Sequence, residues 1–408
     1  MLPLYNLGIR LYVLMIFIAS LFNKKAKLWI EGRRNQTVKK LDSSIWFHFA
    51  SLGEFEQGRP VLEKMRETHP GKPIIITFFS PSGYEIRKNT PLADVVYYLP
   101  ADTAGKARKF IEAINPEIAV FTKYEYWYNY FNQLHKKNIP LYIISGIFRQ
   151  EQVFFKWYGS LHRKMLGFVS HFFVQDGNSK NLLQQLSVTN VTVSGDTRFD
   201  RVWANAQNPR QLPEIEKFKD GEKLFIAGST WPQDEELLVS VIKAHPDWKF
   251  IIAPHEIGEE KINRLMGTLS QTTAIKFSEL PTANSKLPTQ ALVIDNIGML
   301  SSLYQYGEIA YIGGGFGVGI HNTLEAAAFG LPVIFGPNYQ RFKEARDLIE
   351  IGAAFTIADQ AELIAITDKL IGDEAFCNES GAKAKEYVQD NIGATDTILN
   401  FIKTGNRA

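Results

Sequence analysis

Three groups of residues in this chain have the types and spacing of chemistry. The first is "WFHFASLGEFEQGRP", Trp46 to Pro60, where an apolar run ends in Ser-Leu-Gly-Glu. A carboxylate just past a strand, here Glu54, is placed to take a proton from a hydroxyl. Ser51 and Glu54 also have the spacing of a capping box, in which the carboxylate only satisfies helix N–H groups. Pro60 bears on the choice. A helix beginning at Leu52 puts that proline in its third turn, at a cost of about 3 kcal/mol. Either the helix kinks there, or it begins later and leaves Glu54 in a loop; on spacing alone, base and cap both stay open. The second group is "FTKYEYWYN", which follows another apolar run and sets Glu125 beside Trp127 and several tyrosines. Carboxylates among aromatic rings occur in sugar sites and in ordinary cores alike. "ITFFSPSGYE" adds Ser80, Ser82 and Gly83 after a further run.

The third group suits a nucleotide. In "AGSTWPQDEE", Ser229 and Thr230 precede a helix whose N-terminus points its N–H groups back at them, which fits a phosphate or a plain N-cap. His255 follows a strand in "IIAPHE" and is either structural or faces a base or phosphate. In "YIGGGFGVGIHNTLEAAAFGLPVIFGP" five glycines fall between 313 and 319, which lets backbone approach a ligand closely. Asn322 and Glu325 have capping-box spacing, but a carboxylate one turn into a helix behind such a loop also suits a ribose diol. The glycine density favours nucleotide binding. No Asp-x-Asp pair occurs, so no metal is expected at the donor phosphate; helix N-termini and hydroxyls would hold it.

The elements that must position these groups alternate along the chain. The first half carries "SIWFHFA", "PIIITFF", "DVVYYL", "EIAVFT", "IPLYIIS", "SHFFVQ" and "NVTVSG", with helical stretches such as Thr103–Ile114 and Asn178–Leu186 between them. The second half carries "KLFIAGS", "WKFIIAP", "ALVIDN", "EIAYIGGG" and "PVIFGP", and turns helical from about Asp373. Short apolar runs alternating with helices argue for βαβ units and parallel sheets. Ligands of such sheets sit beyond the carboxyl ends of the strands, where the three groups fall. The chain's 408 residues fit two domains of about 150–200 residues each. The polar stretch from Asn205 to Lys223 reads as the linker. The expected layout is a membrane-associated segment over 1–30, a first domain over 31–204, a linker over 205–222 and a second domain over 223–408.

A net charge of +2 leaves no nucleic-acid footprint, and the single cysteine, Cys377, excludes an internal disulfide and a Cys-based zinc site. From Leu2 to Phe22 the only charge is Arg10, and Lys24, Lys25, Lys27, Arg33, Arg34, Lys39 and Lys40 follow. That order is the reverse of a secretory signal and keeps the rest of the chain in the cytoplasm. The apolar run is of borderline length for a span: it crosses the bilayer or lies in its interface, with the cations on anionic head groups, or it is a buried core helix with a solvated charge run behind it.

Taken together, "ASLGE", "SPSGYE", "KYEYWYN", "VSGDTRFDRV", "AGSTW" and the glycine-rich stretch resemble the 3-deoxy-D-manno-octulosonic acid (Kdo) transferases of lipopolysaccharide assembly, over nearly the whole chain. The resemblance implies a glycosyltransferase-B type α/β fold, with two Rossmann-like domains facing a cleft and an N-terminal anchor helix. It implies an inverting transfer of Kdo from CMP-Kdo to lipid IVA at the cytoplasmic face of the bacterial inner membrane, with no cofactor. Glu54 would be the general base and Glu125 the second carboxylate. Pro254, His255, Gly298, Met299, Leu300, Asn322, Thr323, Leu324 and Glu325 would contact CMP, beside Ser229 and Thr230. The family commonly has an arginine where this chain has Ala-Pro-His-Glu, so His255 stands in for a guanidinium. "GDTRFD" carries Arg198 where the family usually has a lysine. Arg59 and Arg198 are candidates for the Kdo carboxylate. The alternatives are a related transferase using a UDP-sugar, and a membrane scaffold that binds nucleotide or lipid without turnover.

Overall fold

In the computed structural model, residues 1–280 and 289–405 are described; the expected end of the second domain, at Ala408, lies outside them. The chain divides into two compact units, Met1–Arg201 with Ile392–Ala408, and Val202–Asn391.

The first unit is a parallel sheet of seven strands: β1 Ser44–Phe49, β2 Ile74–Phe78, β3 Val95–Tyr98, β4 Pro116–Thr122, β5 Leu141–Gly146, β6 His171–Val174 and β7 Val191–Val193. Their order is β3-β2-β1-β4-β5-β6-β7. Both faces of the central strands are covered, so those strands are mostly apolar. The period of two still shows in β1: Trp46 joins the core on one face, with Phe121 and Tyr130, while Ile45, Phe47 and Phe49 join the other.

Three helices matter to the site: α1 (Leu2–Ala19), α2 (Lys24–Asn35) and α3 (Leu52–Thr68). α3 buries Phe55, Val61, Leu62 and Met65 against the β1 face. At Gly58 a Cβ would come within 2.5 Å of the Phe49 ring, so glycine sets how closely the helix approaches the sheet. The late helix start considered for Pro60 does not occur: α3 runs from Leu52 through a buried Pro60. Burial of the proline ring and its neighbours offsets the lost hydrogen bond.

The last helix, Ala394–Gly405, returns to this unit instead of completing the second. Ile398, Leu399 and Ile402 pack into the core of Phe47 and Phe49. The Asp200 carboxylate accepts from Gly393 N at 2.6 Å and from Thr395 N and Oγ1 at 2.7 Å each. The expected second domain over 223–408 therefore loses its final helix.

The second unit repeats the plan with β8 Leu224–Thr230, β9 Lys249–Pro254, β10 Ala274–Lys276, β11 Ala291–Val293, β12 Ile309–Ile312, β13 Val333–Phe335 and β14 Ala354–Thr356. All are parallel, in the order β10-β11-β9-β8-β12-β13-β14. β10 and β14, three residues each, have no counterpart among the expected strands. The expected linker over 205–222 holds a helix, Pro213–Lys219, whose Ile215 and Phe218 are buried. In each sheet the chain crosses from one half to the other between neighbouring strands, β1 and β4 in the first and β8 and β12 in the second, where β11 also inserts between β9 and β10. Those two points are where ligands of such sheets bind.

α1 lies along the first unit. The Tyr5 hydroxyl donates to Asp102 Oδ2 at 2.5 Å and accepts from Tyr128 N at 3.2 Å, and Asn129 Nδ2 donates to Asn6 Oδ1 at 3.2 Å. Partly covered residues recur at Leu2, Tyr5, Asn6, Ile9, Val13, Ile16 and Ser20, which is one face of the helix over its whole length. Leu4, Leu7, Leu11, Leu14, Met15 and Ile18 are exposed. α2 is pinned beneath it. The Arg33 guanidinium lies 3.6 Å from the Trp29 ring centroid and donates to Leu99 O and Phe79 O at 2.8 and 2.7 Å.

Candidate active site

The first unit brings Glu54 and Glu125 to the crossing point of its sheet, past the ends of β1 and β4. Glu54 sits in the first turn of α3, and its Oε2 accepts from Ala50 N at 2.5 Å. A capping box would use the N–H of Ser51, the N-cap, and Ser51 makes no side-chain cap bond of its own. Glu54 thus reaches back across the turn linking β1 to α3. Burial lifts its carboxyl from 4.5 to about 7; the charge of Glu125 adds to this, while the Ala50 N–H and Lys123 oppose it.

Glu125 is held at one oxygen. Oε2 meets His48 Nε2 at 3.1 Å and accepts from Trp127 Nε1 at 2.9 Å. Trp127 stacks on Phe79, with centroids 5.0 Å apart, and Phe79 stacks on Tyr12 of α1 at 6.2 Å. The N-terminal helix therefore reaches the carboxylate through two ring contacts. Lys123, the first residue past β4, has φ +58°, a left-handed backbone that costs a non-glycine residue energy and is often found at functional sites.

The other first-unit candidates are absorbed locally. Ser80 caps helix Pro81–Arg87 by accepting from Ser82 N at 3.2 Å. Arg59 pairs with Glu63 at 2.6 Å and Glu56 at 3.6 Å. Arg198 pairs with buried Asp196 at 2.7 Å. Burial alone would raise the Asp196 carboxyl, but the charge and hydrogen bonds of Arg198, with Lys123, hold it below the ordinary range.

The second unit assembles its candidates at the crossing point between β8 and β12. Ser229 has φ +55°, matching Lys123 in the other unit. Thr230 Oγ1 donates to Glu235 at 3.2 Å, and Thr230 O accepts from His255 N at 2.9 Å, which ties Pro254 and His255 to the end of β8. Leu300 follows Met299, the N-cap of a short helix, and lies where a Cβ on Gly228 would come within 2.9 Å of it; Gly298 before them has φ +93°. Asn322 Oδ1 accepts from Leu324 N at 3.2 Å, and its amide donates to Glu325 at 3.1 Å. Thr323 Oγ1 is buried with no hydrogen-bond partner among the described residues.

Most of the glycines answer to packing. A Cβ on Gly313 would strike the Ser229–Thr230 backbone, and one on Gly315 would strike Gly336. Gly314 and Gly319 have φ +92° and +131°. Only Gly317 of the five has open space, with Gly314 O at 3.7 Å as its one neighbour. The glycine count is therefore weaker evidence of ligand approach than its density implies.

Trp231, Asp234 and His321 emerge from the structure. Trp231 stacks on His255 at 4.8 Å, and His255 stacks on His321 at 4.3 Å. Trp231 Nε1 donates to His321 Nε2 at 3.0 Å. Burial, helped by His255, lowers the His321 imidazole to about 4, so it accepts that bond as a neutral ring. Asp234 joins the starts of the helix and the loop: it accepts from Tyr311 Oη at 2.7 Å and from Trp231 N and Gly314 N at 2.9 Å each. A cavity of about 370 Å³ opens there, lined by Trp231, Asp234, Gly314, Phe316 and Val318. Trp231 was visible in "AGSTWPQDEE", but nothing local set it apart from a core tryptophan. Among the described residues, no three His, Cys, Asp or Glu side chains are grouped to hold a metal ion.

Known proteins fit these two units. The family described as 3-deoxy-D-manno-octulosonic-acid transferase (kdotransferase) matches residues 23–201, which hold Glu54 and Glu125. A bifunctional glycosyltransferase/methyltransferase of Fusobacterium nucleatum is 26% identical over 99% of this chain, which spans 63% of that protein's length. A 3-deoxy-D-manno-octulosonic acid transferase of Haemophilus influenzae is 26% identical over 88% of this chain and 86% of its own. One from Aquifex aeolicus is 24% identical over 82% and 88%. Among solved structures, UDP-GlcNAc 2-epimerase of Neisseria meningitidis superposes with TM-score 0.64 at 14% identity, covering 88% of this chain and 100% of that one. MurG of Acinetobacter baumannii gives 0.53 at 12%, covering 88% and 99%. These structural likenesses establish the fold, which is of the glycosyltransferase-B type. The family domain lies over the carboxylate-bearing unit, and Kdo transferases at 24–26% identity align along more than four-fifths of the chain, so the chain is similar to the Kdo transferases across both units.

Proposed function

We propose that this protein is an inverting transferase that moves Kdo from CMP-Kdo to the lipid A precursor lipid IVA. The observation that carries the reading is Glu54, a half-buried carboxyl raised to about 7 beside a second carboxylate, at the ligand-binding edge of the family's own domain. Its conjugate base is strong enough to take a hydroxyl proton near neutrality, where an ordinary glutamate is a weak base.

In the proposed step, an acceptor hydroxyl oxygen bonds to the anomeric carbon of Kdo as the bond to the CMP phosphate breaks. The proton passes to Glu54, and the electron pair leaves with CMP. Glu125 orients the acceptor and balances positive charge on the sugar. The leaving phosphate needs N–H and O–H donors more than a proton. Ser229, the N-terminus of helix Pro232–Ala244 and the loop around Gly317 are the donors in the second unit. The Trp231–His255–His321 stack offers a flat apolar face suited to a base or sugar ring. Thr230 is assigned a supporting role, since its hydroxyl serves Glu235.

The acceptor is an amphiphile, and α1 supports a location at the cytoplasmic face of the inner membrane. It is long and apolar enough to cross a bilayer by length and composition, and none of it is buried. One face is nevertheless engaged with the first unit along the whole helix, through Tyr5, Asn6 and Tyr12. That favours a helix lying in the interface, with Leu4, Leu7, Leu11, Leu14 and Ile18 in the acyl boundary. The basic residues after it would meet anionic head groups.

Mass spectrometry of the product formed from CMP-Kdo and lipid IVA tests the reading directly. A mass increase of one or more Kdo residues, lost in Glu54→Gln, is the expected result. No product with this donor and acceptor would overturn it.

A further inference from the structure

His48 is the one imidazole in β1, among Ile45, Trp46, Phe47 and Phe49, and it has no exposed surface. It shares a face of β1 with Trp46, and both rings converge on a single hydroxyl. Trp46 Nε1 donates to Thr77 Oγ1 at 2.8 Å, and His48 Nδ1 lies 2.8 Å from the same oxygen. Indole N–H is a donor only, so the Thr77 oxygen is an acceptor toward Trp46. The one Thr77 hydrogen then has two takers: His48 Nδ1 at 2.8 Å and Phe47 O at 3.4 Å. The Glu125 carboxylate can only accept, so its 3.1 Å contact puts the hydrogen of the neutral ring on Nε2, and Nδ1 then takes the Thr77 hydrogen through the shorter of the two contacts. The Nε2–H points at Glu125 Oε2.

The consequence for Glu125 is specific. Two N–H groups, from His48 and Trp127, fix one oxygen of its carboxylate. The other, Oε1, makes no hydrogen bond among the described residues and belongs to a side chain that is 14% exposed. One oxygen is anchored and one is presented.

We propose that His48 is a positioning residue for the acceptor-side carboxylates: Thr77 donates to its Nδ1, and its Nε2–H holds Glu125 where its charge acts on Glu54. The proposal rests on Glu54 being the base. Around Glu54 the charged and titratable groups are Glu125, Lys123 and Tyr124; around Glu125 they are His48, Glu54 and, from α1, Tyr12. Of these, His48 is the only one hydrogen-bonded to Glu125 among the described residues.

The test is a set of substitutions in the full chain, assayed in detergent with CMP-Kdo and lipid IVA. A glutamine amide can reach the place of imidazole Nε2, and an asparagine amide only that of Nδ1. His48→Gln is expected to stay within about threefold of wild-type kcat, and His48→Asn to lose roughly tenfold to hundredfold, the worth of one hydrogen bond to a charged group. Donor KM stays unchanged in both. In His48→Asn the acidic limb of the pH–rate profile moves to lower pH, because Glu125 no longer stays beside Glu54. Nitrogen-15 spectra of labelled histidine report the tautomer directly: protonated Nε2 in wild type, with the signature altered in Thr77→Val. Equal rates and profiles for Gln and Asn, or a protonated Nδ1 in wild type, would overturn the proposal. Glu54→Gln run in parallel separates the two levels. Full turnover there removes the base and the proposal with it, whereas lost turnover there with an unchanged His48→Asn profile removes His48 alone.

Discussion

Replacing Glu54 with glutamine should cost activity and gain stability, and the two effects have one cause. The carboxyl is raised from 4.5 to about 7, by burial first and by Glu125 second. Between those values the native state holds a proton that the unfolded chain has already released. Native stability therefore falls as pH rises from about 4.5 to about 7, and stays at the lower level above it. At 1.36 kcal/mol per tenfold, the carboxylate costs the fold about 3 kcal/mol at pH 8. Glutamine keeps an oxygen for Ala50 N and never ionises, so it recovers up to that amount. A unit of this size gains about 2–4 °C per kcal/mol, so Glu54→Gln should melt several degrees above wild type at pH 8 and together with it near pH 4.5. Transfer should fall by roughly 10²–10⁴-fold, the usual contribution of a general base. Scanning calorimetry at the two pH values and a transfer assay on the same preparations give both numbers. A variant that melts below wild type at pH 8 would refute the buried-carboxylate argument. One that turns over normally would refute the base.

Four further outcomes follow from the two units. The wild-type rate should rise with pH through about 7 as Glu54 loses its proton, and a rate flat from pH 5 to 8 would place the base elsewhere. Tyr12→Ala removes one ring from the Tyr12–Phe79–Trp127 stack, worth about 0.5–1.5 kcal/mol, and should lower kcat a few-fold even on detergent-dispersed acceptor. An effect seen only with bilayers would make α1 an anchor and nothing more. Asp234→Asn loses the charge that holds Trp231 N and Gly314 N, so donor KM should rise about tenfold with kcat little changed. Titration calorimetry on the same protein should show CMP bound in preference to UDP; the reverse preference would favour a UDP-sugar transferase.

What could be read from the chain divides along a physical line. Parallel strands buried on both faces are short apolar runs, and twelve of the fourteen stood out that way. The residues just past them could therefore be named before any coordinates. β10 and β14 are three residues long and lie at the sheet edges, where little burial is demanded and little sequence signal results. Pro60 misled because its local cost is real, and only the packing of α3 on the sheet, with Phe55 against Phe49, shows what offsets it. The final helix gave no sign of which unit it would join, since an amphipathic face records that it is buried and not against what.

The functional groups show the same division more sharply. Glu54 and Glu125 could be named as candidates from their strand-end positions, but spacing left Glu54 open between base and cap, and only the resemblance proposed their roles. His48 was in plain view, a polar residue inside the most aromatic strand, yet nothing local connects it to residue 77 or 125. Its role exists only once β1 lies between β2 and β4, which brings Thr77 and Glu125 to opposite edges of one imidazole. The glycine loop is the converse case, since its signal was strong and its cause mostly internal. Gly313 and Gly315 are required by backbone packed on backbone, and Gly314 and Gly319 by a left-handed turn. Alanine at Gly313 or Gly315 would therefore disrupt the unit with or without a ligand. Gly317→Ala meets no such contact, so it isolates whatever part of the loop is there for the donor.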